Sequence, residues 1–148
     1  MNEIKSKPIN QIENESEIDL ILRLDRTEED SANTPKLFNK YHKEYRIVST
    51  ELLQAQMKMK PLWKRTWLYY SGKAHPNKYK RKPLDHKIMK SDLKMHIEAD
   101  DDIIKLTYQI EMLELKQKFI QAKMKEINNR SYHIGNMIKT TLFKHGIN

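Results

Sequence analysis

From Gln54 to Lys94 the chain sets twelve Lys or Arg against only Asp85 and Asp92, and interleaves those cations with Trp63, Trp67, Tyr69, Tyr70 and Tyr79. Positive charge set among flat aromatic faces is the equipment for gripping a nucleic-acid backbone and stacking on its bases. Lys58, Lys60, Lys64, Arg65, Lys73, Lys78, Lys80, Arg81 and Lys82 are the candidate phosphate ligands. Each phosphate neutralised on a single strand steepens the fall of log affinity with log salt by roughly 0.7. Among the aromatics, Trp63, Trp67 and Tyr70 recur at i, i+4 and i+7, one helical face, so for both Trp the spacing predicts core at least as readily as base stacking. Tyr69 lies off that stripe and is the better stacking candidate. The mix favours unpaired strands over duplex, because no zinc finger, basic zipper or helix-turn-helix pattern accompanies it.

Other chemistries find little support. Cysteine is absent, which excludes disulfides, Cys-liganded zinc and a thiol nucleophile, and reads most simply as an intracellular, reducing address. The six His, at 42, 75, 86, 96, 133 and 145, form no i, i+4 pair beside a carboxylate, so no metal site is expected. Asp100, Asp101 and Asp102 are consecutive, and consecutive helical residues point about 100° apart, which suits capping of a helix and not convergence on one ion. No glycine-rich phosphate loop and no paired catalytic set is present, so the chain is read as non-enzymatic, with no catalytic residues and no cofactor. A membrane role is disfavoured: nowhere do eighteen apolar residues run together, and the basic stretch is broken by Pro61, Pro76 and Pro83 with no broad apolar face opposite its cations.

The elements that must carry this surface are helices. With 38% apolar and 32% charged residues, three Gly and five Pro, the composition predicts an all-α protein of long helices that finish burying themselves against partner chains. Charge is regional: net −5 over residues 1–35, +12 over 36–96 and +1 over 97–148. Three regions follow: an acidic, partly disordered N-terminal extension (1–31), a basic helical nucleic-acid-binding region (32–98) and a C-terminal helical oligomerisation region (99–148), with 32–148 forming one domain. Residues 1–15 are polar enough to lack order, and Glu17–Leu24 is predicted to form a short helix presenting Ile18, Ile21 and Leu22. Thr34 followed by Pro35 predicts the start of a long helix, along which Leu37, Tyr41, Tyr45, Val48, Leu52 and Met59 mark one face. Pro61 predicts a kink or a restart, and Ser71-Gly72 the end. The loop from Lys73 to Pro83 is expected to be exposed and mobile, while Lys87–His96 fits a short helix or an extended segment equally. Ile103, Leu106, Ile110, Leu113, Gln117, Ile120, Met124 and Ile127 then follow alternating three- and four-residue steps, a heptad seam predicted to join copies of the chain. Asn128–Ser131 and Gly135 leave open whether that helix is continuous.

Several ordered blocks add a resemblance. Leu68-Tyr69-Tyr70-Ser71-Gly72-Lys73, Met89-Lys90-Ser91-Asp92, Ala99-Asp100-Asp101-Asp102-Ile103-Ile104-Lys105-Leu106 and Ile127-Asn128-Asn129-Arg130-Ser131-Tyr132, with Ile138 and Phe143, resemble the UvsY recombination mediators of tailed phages from about Ala32 to Gly146. The resemblance implies a helical, non-enzymatic protein of the infected host cell's cytoplasm. It implies a closed homo-oligomeric ring, hexameric or heptameric, that binds single-stranded DNA. It also implies two protein partners, a RecA-like recombinase that is loaded and the phage single-strand-binding protein that is displaced. The family's basic motif before the tyrosine pair runs Lys, small residue, Arg. Here Lys64 matches its Lys, but Arg65 takes the small position and Thr66 the place of its Arg. The alternatives on residues alone are an oligomeric helical scaffold with an acidic partner, or an RNA-binding protein, since backbone-and-stacking recognition is nearly blind to the sugar.

Overall fold

The computed structural model describes residues 3–147, and all regular structure among them is helical. Five α-helices follow in order: α1 (Ile9–Asp19), α2 (Thr27–Tyr70), α3 (Pro76–Arg81), α4 (Leu93–Glu98) and α5 (Asp101–Lys144), with one 3-10 turn, Lys90–Asp92, leading into α4. The all-α expectation holds. No helix among the described residues is long and apolar enough to cross a membrane.

Pro35 was expected to open a long helix and does not; at Pro61, where a kink or a restart was expected, no second helix begins. α2 starts at Thr27, a turn and more before Thr34, and runs through both Pro35 and Pro61 to Tyr70. An interior proline removes the bond to the carbonyl four residues back and crowds that turn, at a cost of about 3 kcal/mol. Here the carbonyls deprived of a donor belong to Ser31 and Met57, both exposed residues, so water can take the lost place. The early start has its own support: Glu28, Glu29 and Asp30 fill the first turn, where the helix dipole favours negative charge. α5 is likewise unbroken across Asn128–Ser131 and Gly135.

The chain forms two compact units, one made of residues up to Thr50 together with those from Leu115, the other of Glu51–Glu114. In the first unit the opening part of α2 and the closing part of α5 run antiparallel, as Ser49 opposite Gln117 and Asp30 opposite Arg130 require. Tyr41, Val48, Ile120, Ile127 and Ile134 form its core together with Ile12 of α1. Each such side chain removed from water contributes about 1.5–3 kcal/mol.

α1 corrects the sequence reading. Met1 and Asn2 lie outside the described residues, but order begins well before Glu17, and the expected 17–24 helix is replaced by Ile9–Asp19. Ile12 and Ser16, one turn apart, are the residues it buries, whereas Ile18 and Ile21 are exposed. Tertiary contacts override local preference: Lys7 pairs with Glu15 at 2.9 Å, and Lys40 of α2 reaches Asp19 at 2.6 Å. The hydrogen bond from Lys7 holds the Glu15 carboxyl below its usual range. Burial and the bond to Asp19 push the Tyr41 hydroxyl up. Arg130, itself buried, donates to the Asp19 carbonyl at the end of α1 (2.9 Å) and stands 3.6 Å from the buried Asp30 carboxylate. Asp30 in turn accepts from the Arg23 amide at 2.9 Å, fixing the turn between α1 and α2.

The heptad seam is closed within the chain. Ile103, Leu106, Leu113, Ile120 and Ile127 are buried and Ile110, Gln117 and Met124 half-buried in a single copy, and the amide of Gln117 donates to Ser49 Oγ of α2 at 2.8 Å. At Gln117 the seam meets the chain's own α2, and the burial of its other members is reached in a single copy, without a partner chain. A period tells that a helix is covered, not by which copy.

Candidate nucleic-acid interface

In the second unit α2 ends in a form that the residues dictate. Gly72 adopts φ +78°, the left-handed conformation that costs glycine nothing, and the Lys73 and Gly72 amides donate to the Leu68 and Tyr69 carbonyls at 2.9 and 3.2 Å. This six-to-one and five-to-two pair is the Schellman closure, and it turns the chain back along the helix it has just left.

The basic loop is consequently structured. Within it Pro76 opens the short helix α3, and the His75 ring accepts from the Asn77 amide at 3.2 Å as its cap. Two tyrosines fasten the loop. The Tyr79 hydroxyl donates to the Tyr69 carbonyl at 2.8 Å and accepts the Ala74 amide at 3.1 Å, while its ring stacks on that of Tyr69. The Tyr69 hydroxyl donates to the Lys82 carbonyl at 2.9 Å, and the Lys82 ammonium stands 5.2 Å from the Tyr69 ring. Tyr69, expected to stack on bases, is only 4% exposed. Its ring is covered by Tyr79 and the returning loop, which its hydroxyl fastens.

Asp100 completes the frame. It caps α5 by accepting the Asp102 amide at 3.0 Å, as the capping reading expects, and it accepts the Tyr70 hydroxyl at 2.8 Å with Lys82 at 3.9 Å. Burial, the hydrogen bond and the charge of Asp100 push Tyr70 up to about 12. The sequence offered no signal for this pairing, which joins residues 30 apart.

All nine candidate cations, Lys58, Lys60, Lys64, Arg65, Lys73, Lys78, Lys80, Arg81 and Lys82, are exposed, and none has a carboxylate neighbour in sequence between Leu52 and Leu84. They do not form one row. Lys58 and Arg65, seven apart, line a groove of about 560 Å³ with Leu62, Asp102 and Lys105. Lys60 and Lys64 instead flank a depression of about 480 Å³ floored by Met59, Trp63 and Trp67. Displacement of the arginine by one position, about 100° around a helix, thus puts Arg65 with Lys58 and away from Lys64. Both Trp rings are half-buried, and Lys73 stands 4.9 Å over Trp67.

Fold and surface together define an all-helical protein whose second unit exposes cations around half-buried aromatic rings. The chain belongs to the family of recombination, repair and single-stranded-DNA-binding proteins UvsY, whose model matches residues 11–147. Crystal structures of the recombination mediator protein UvsY of bacteriophage T4 share the fold. In lattice type II the TM-score is 0.82 at 19% identity, covering 94% of this chain and 98% of that one. In lattice type I it is 0.76 at 20% identity, covering 90% and 98%. No curated protein sequence matches the chain.

Proposed function

We propose that the protein is a recombination mediator that binds single-stranded DNA as a homo-oligomer, and promotes loading of a RecA-like recombinase onto strands covered by single-strand-binding protein. The observation that carries this reading is the exposure of all nine cations from Lys58 to Lys82 on an ordered helix end and a fastened loop. In this reading residues 32–98 carry the strand and residues 99–148 the contacts between copies, in a closed ring of hexameric or heptameric size, working in the cytoplasm of an infected host cell. Because the heptad seam is already covered, contacts between copies draw on apolar side chains left outside it. Ile104, Tyr108 and Met112, at steps of four on α5, are 50%, 65% and 37% exposed and supply such a row. A ring sets many weak sites along one strand, which raises avidity by about 10² to 10⁴ without any new contact. A strand held in that way is available to the recombinase while its competitor is loosened.

Filter binding to poly(dT), with duplex, poly(U) and heparin as competitors, tests the ligand, and light scattering with and without oligo(dT) tests assembly. Poly(dT) should be preferred, and replacing Lys64 and Arg65 with Ala should weaken binding and flatten the salt slope by about 1.4 while the oligomer elutes unchanged. Undiminished affinity in that variant, or equal competition by heparin, would refute the strand-binding site. Preference for poly(U) would turn the reading to RNA.

A further inference from the structure

We infer that Trp63 and Trp67 form a base-stacking cradle: a nucleobase of the bound strand lies against the two indoles while Lys60, Lys64 and Lys73 hold the flanking phosphates. This rests on the strand-binding reading above and names the residues that meet the bases. The depression the indoles floor, with Met59, is open, about 480 Å³, and bounded by Lys60 and Lys64. The two rings are one turn apart on α2, a rise of about 6 Å, so they present neighbouring apolar faces along one line. Both are half-buried, which fixes their orientation without hiding them.

Charge decides the occupant. No Asp or Glu occurs between Leu52 and Leu84, so the notch is bordered in sequence by cations alone. The cations beside the notch include Lys73, whose ammonium lies 4.9 Å from the Trp67 ring. A ligand with a flat uncharged face and an anion next to it satisfies both features, and a nucleotide in an unpaired strand is such a ligand. The other aromatics nearby are engaged elsewhere: Tyr69 is covered by Tyr79 and the basic loop, and Tyr70 is bonded to Asp100. Stacking on indoles contributes about 1–3 kcal/mol per base irrespective of base identity, so the cradle adds affinity with little sequence preference.

Because Trp63 and Trp67 are the chain's two tryptophans, tryptophan emission, excited beyond the tyrosine band, reports on this site alone. The unaltered protein is titrated with oligo(dT) and with an abasic phosphodiester strand of equal length. Expected is strong quenching by oligo(dT), with little by the abasic strand even where that strand is bound. The variant carrying Trp63→Leu and Trp67→Leu should lose about tenfold or more in affinity for oligo(dT), keep its affinity for the abasic strand, and keep the salt slope. Equal quenching by the two strands, or equal loss of affinity for both in the variant, overturns the cradle and leaves strand binding intact. Emission that follows protein concentration and ignores DNA assigns the notch to a second copy and also overturns it. Failure to bind either strand overturns the cradle together with the reading it rests on.

Discussion

Replacing Tyr79 with Phe should loosen the basic loop while leaving its charge and most of its packing in place. The ring can still stack on Tyr69, whose centroid is 5.4 Å away, so the change isolates the hydroxyl. As donor that hydroxyl bonds the Tyr69 carbonyl at 2.8 Å, with the Leu68 carbonyl sharing the proton at 3.3 Å, and as acceptor it takes the Ala74 amide at 3.1 Å. The Tyr69 carbonyl keeps the Gly72 amide as a partner, but the Ala74 amide is left to find water. Two net bonds, one of them to a replaceable partner, amount to about 1–2 kcal/mol of local stability. That is a rise of about 5- to 30-fold in the population of opened loop. Trypsin reads this population when opening and closing are fast relative to cleavage. Cuts after Lys78, Lys80 and Arg81 should therefore accelerate by that factor, while cuts near Lys139 and Lys144, on α5 in the other unit, serve as the control and stay constant. Affinity for single strands should fall, since ordering the loop becomes a cost of binding, with the salt slope unchanged. Loop cleavage within twofold of the unaltered protein would refute the claim that Tyr79 fastens the loop.

Arg130→Met strands the buried Asp30 and should lower stability by about 3–5 kcal/mol in urea melts, with the double replacement Arg130→Met, Asp30→Leu regaining part of it; an unshifted midpoint in the single variant would count against the pairing. Ile120→Ala should cost about 2–5 kcal/mol of chain stability because the side chain is fully buried, whereas Tyr108→Ala, 65% exposed, should leave stability nearly unchanged and weaken assembly by light scattering. The reverse pattern would return the seam to the role of a contact between copies. Tyr70 titrates at about 12 in the folded chain against an ordinary 10.0, so its bond to Asp100 supports the fold fully below about pH 10 and is lost as pH rises through 12. Tyr70→Phe should remove that part of the alkaline fall in stability, and an identical pH profile would sink the assignment.

Periodicity made the helices and their buried faces legible, because a covered face must repeat with the helix. It also made the end of α2 legible, since Ser71-Gly72 offers the one residue type that turns left-handed without strain. What escaped depends on contacts distant in sequence. Pro35 was read as a helix start and Pro61 as a kink or a restart, yet a helix tolerates proline where the freed carbonyl belongs to an exposed residue and the rest of the helix is held by packing. α1 lies where Ile12 is buried and Glu15 and Asp19 find Lys7 and Lys40, which no local propensity reveals. The exposure of the aromatics escaped for a related reason. Tyr69 is off the Trp stripe, but the loop that folds back over it covers it, and the stripe itself lies only half under cover. The cations were legible as a group and not as two pairs, since their division depends on where the first turns of α5 lie beside Lys58 and Arg65.

The division of the chain into units has a bearing on its synthesis. Glu51–Glu114 is contiguous, so its helices can find one another while later residues are still inside the ribosome. The first unit must wait for Ile120, Ile127, Arg130 and Ile134 to emerge before Ile12 and Tyr41 have anything to close against. Nascent protein therefore passes through a stage in which the Glu51–Glu114 unit is shaped and the other unit is still open. During that interval the uncovered Ile12, Tyr41 and Val48 are what a chaperone would find.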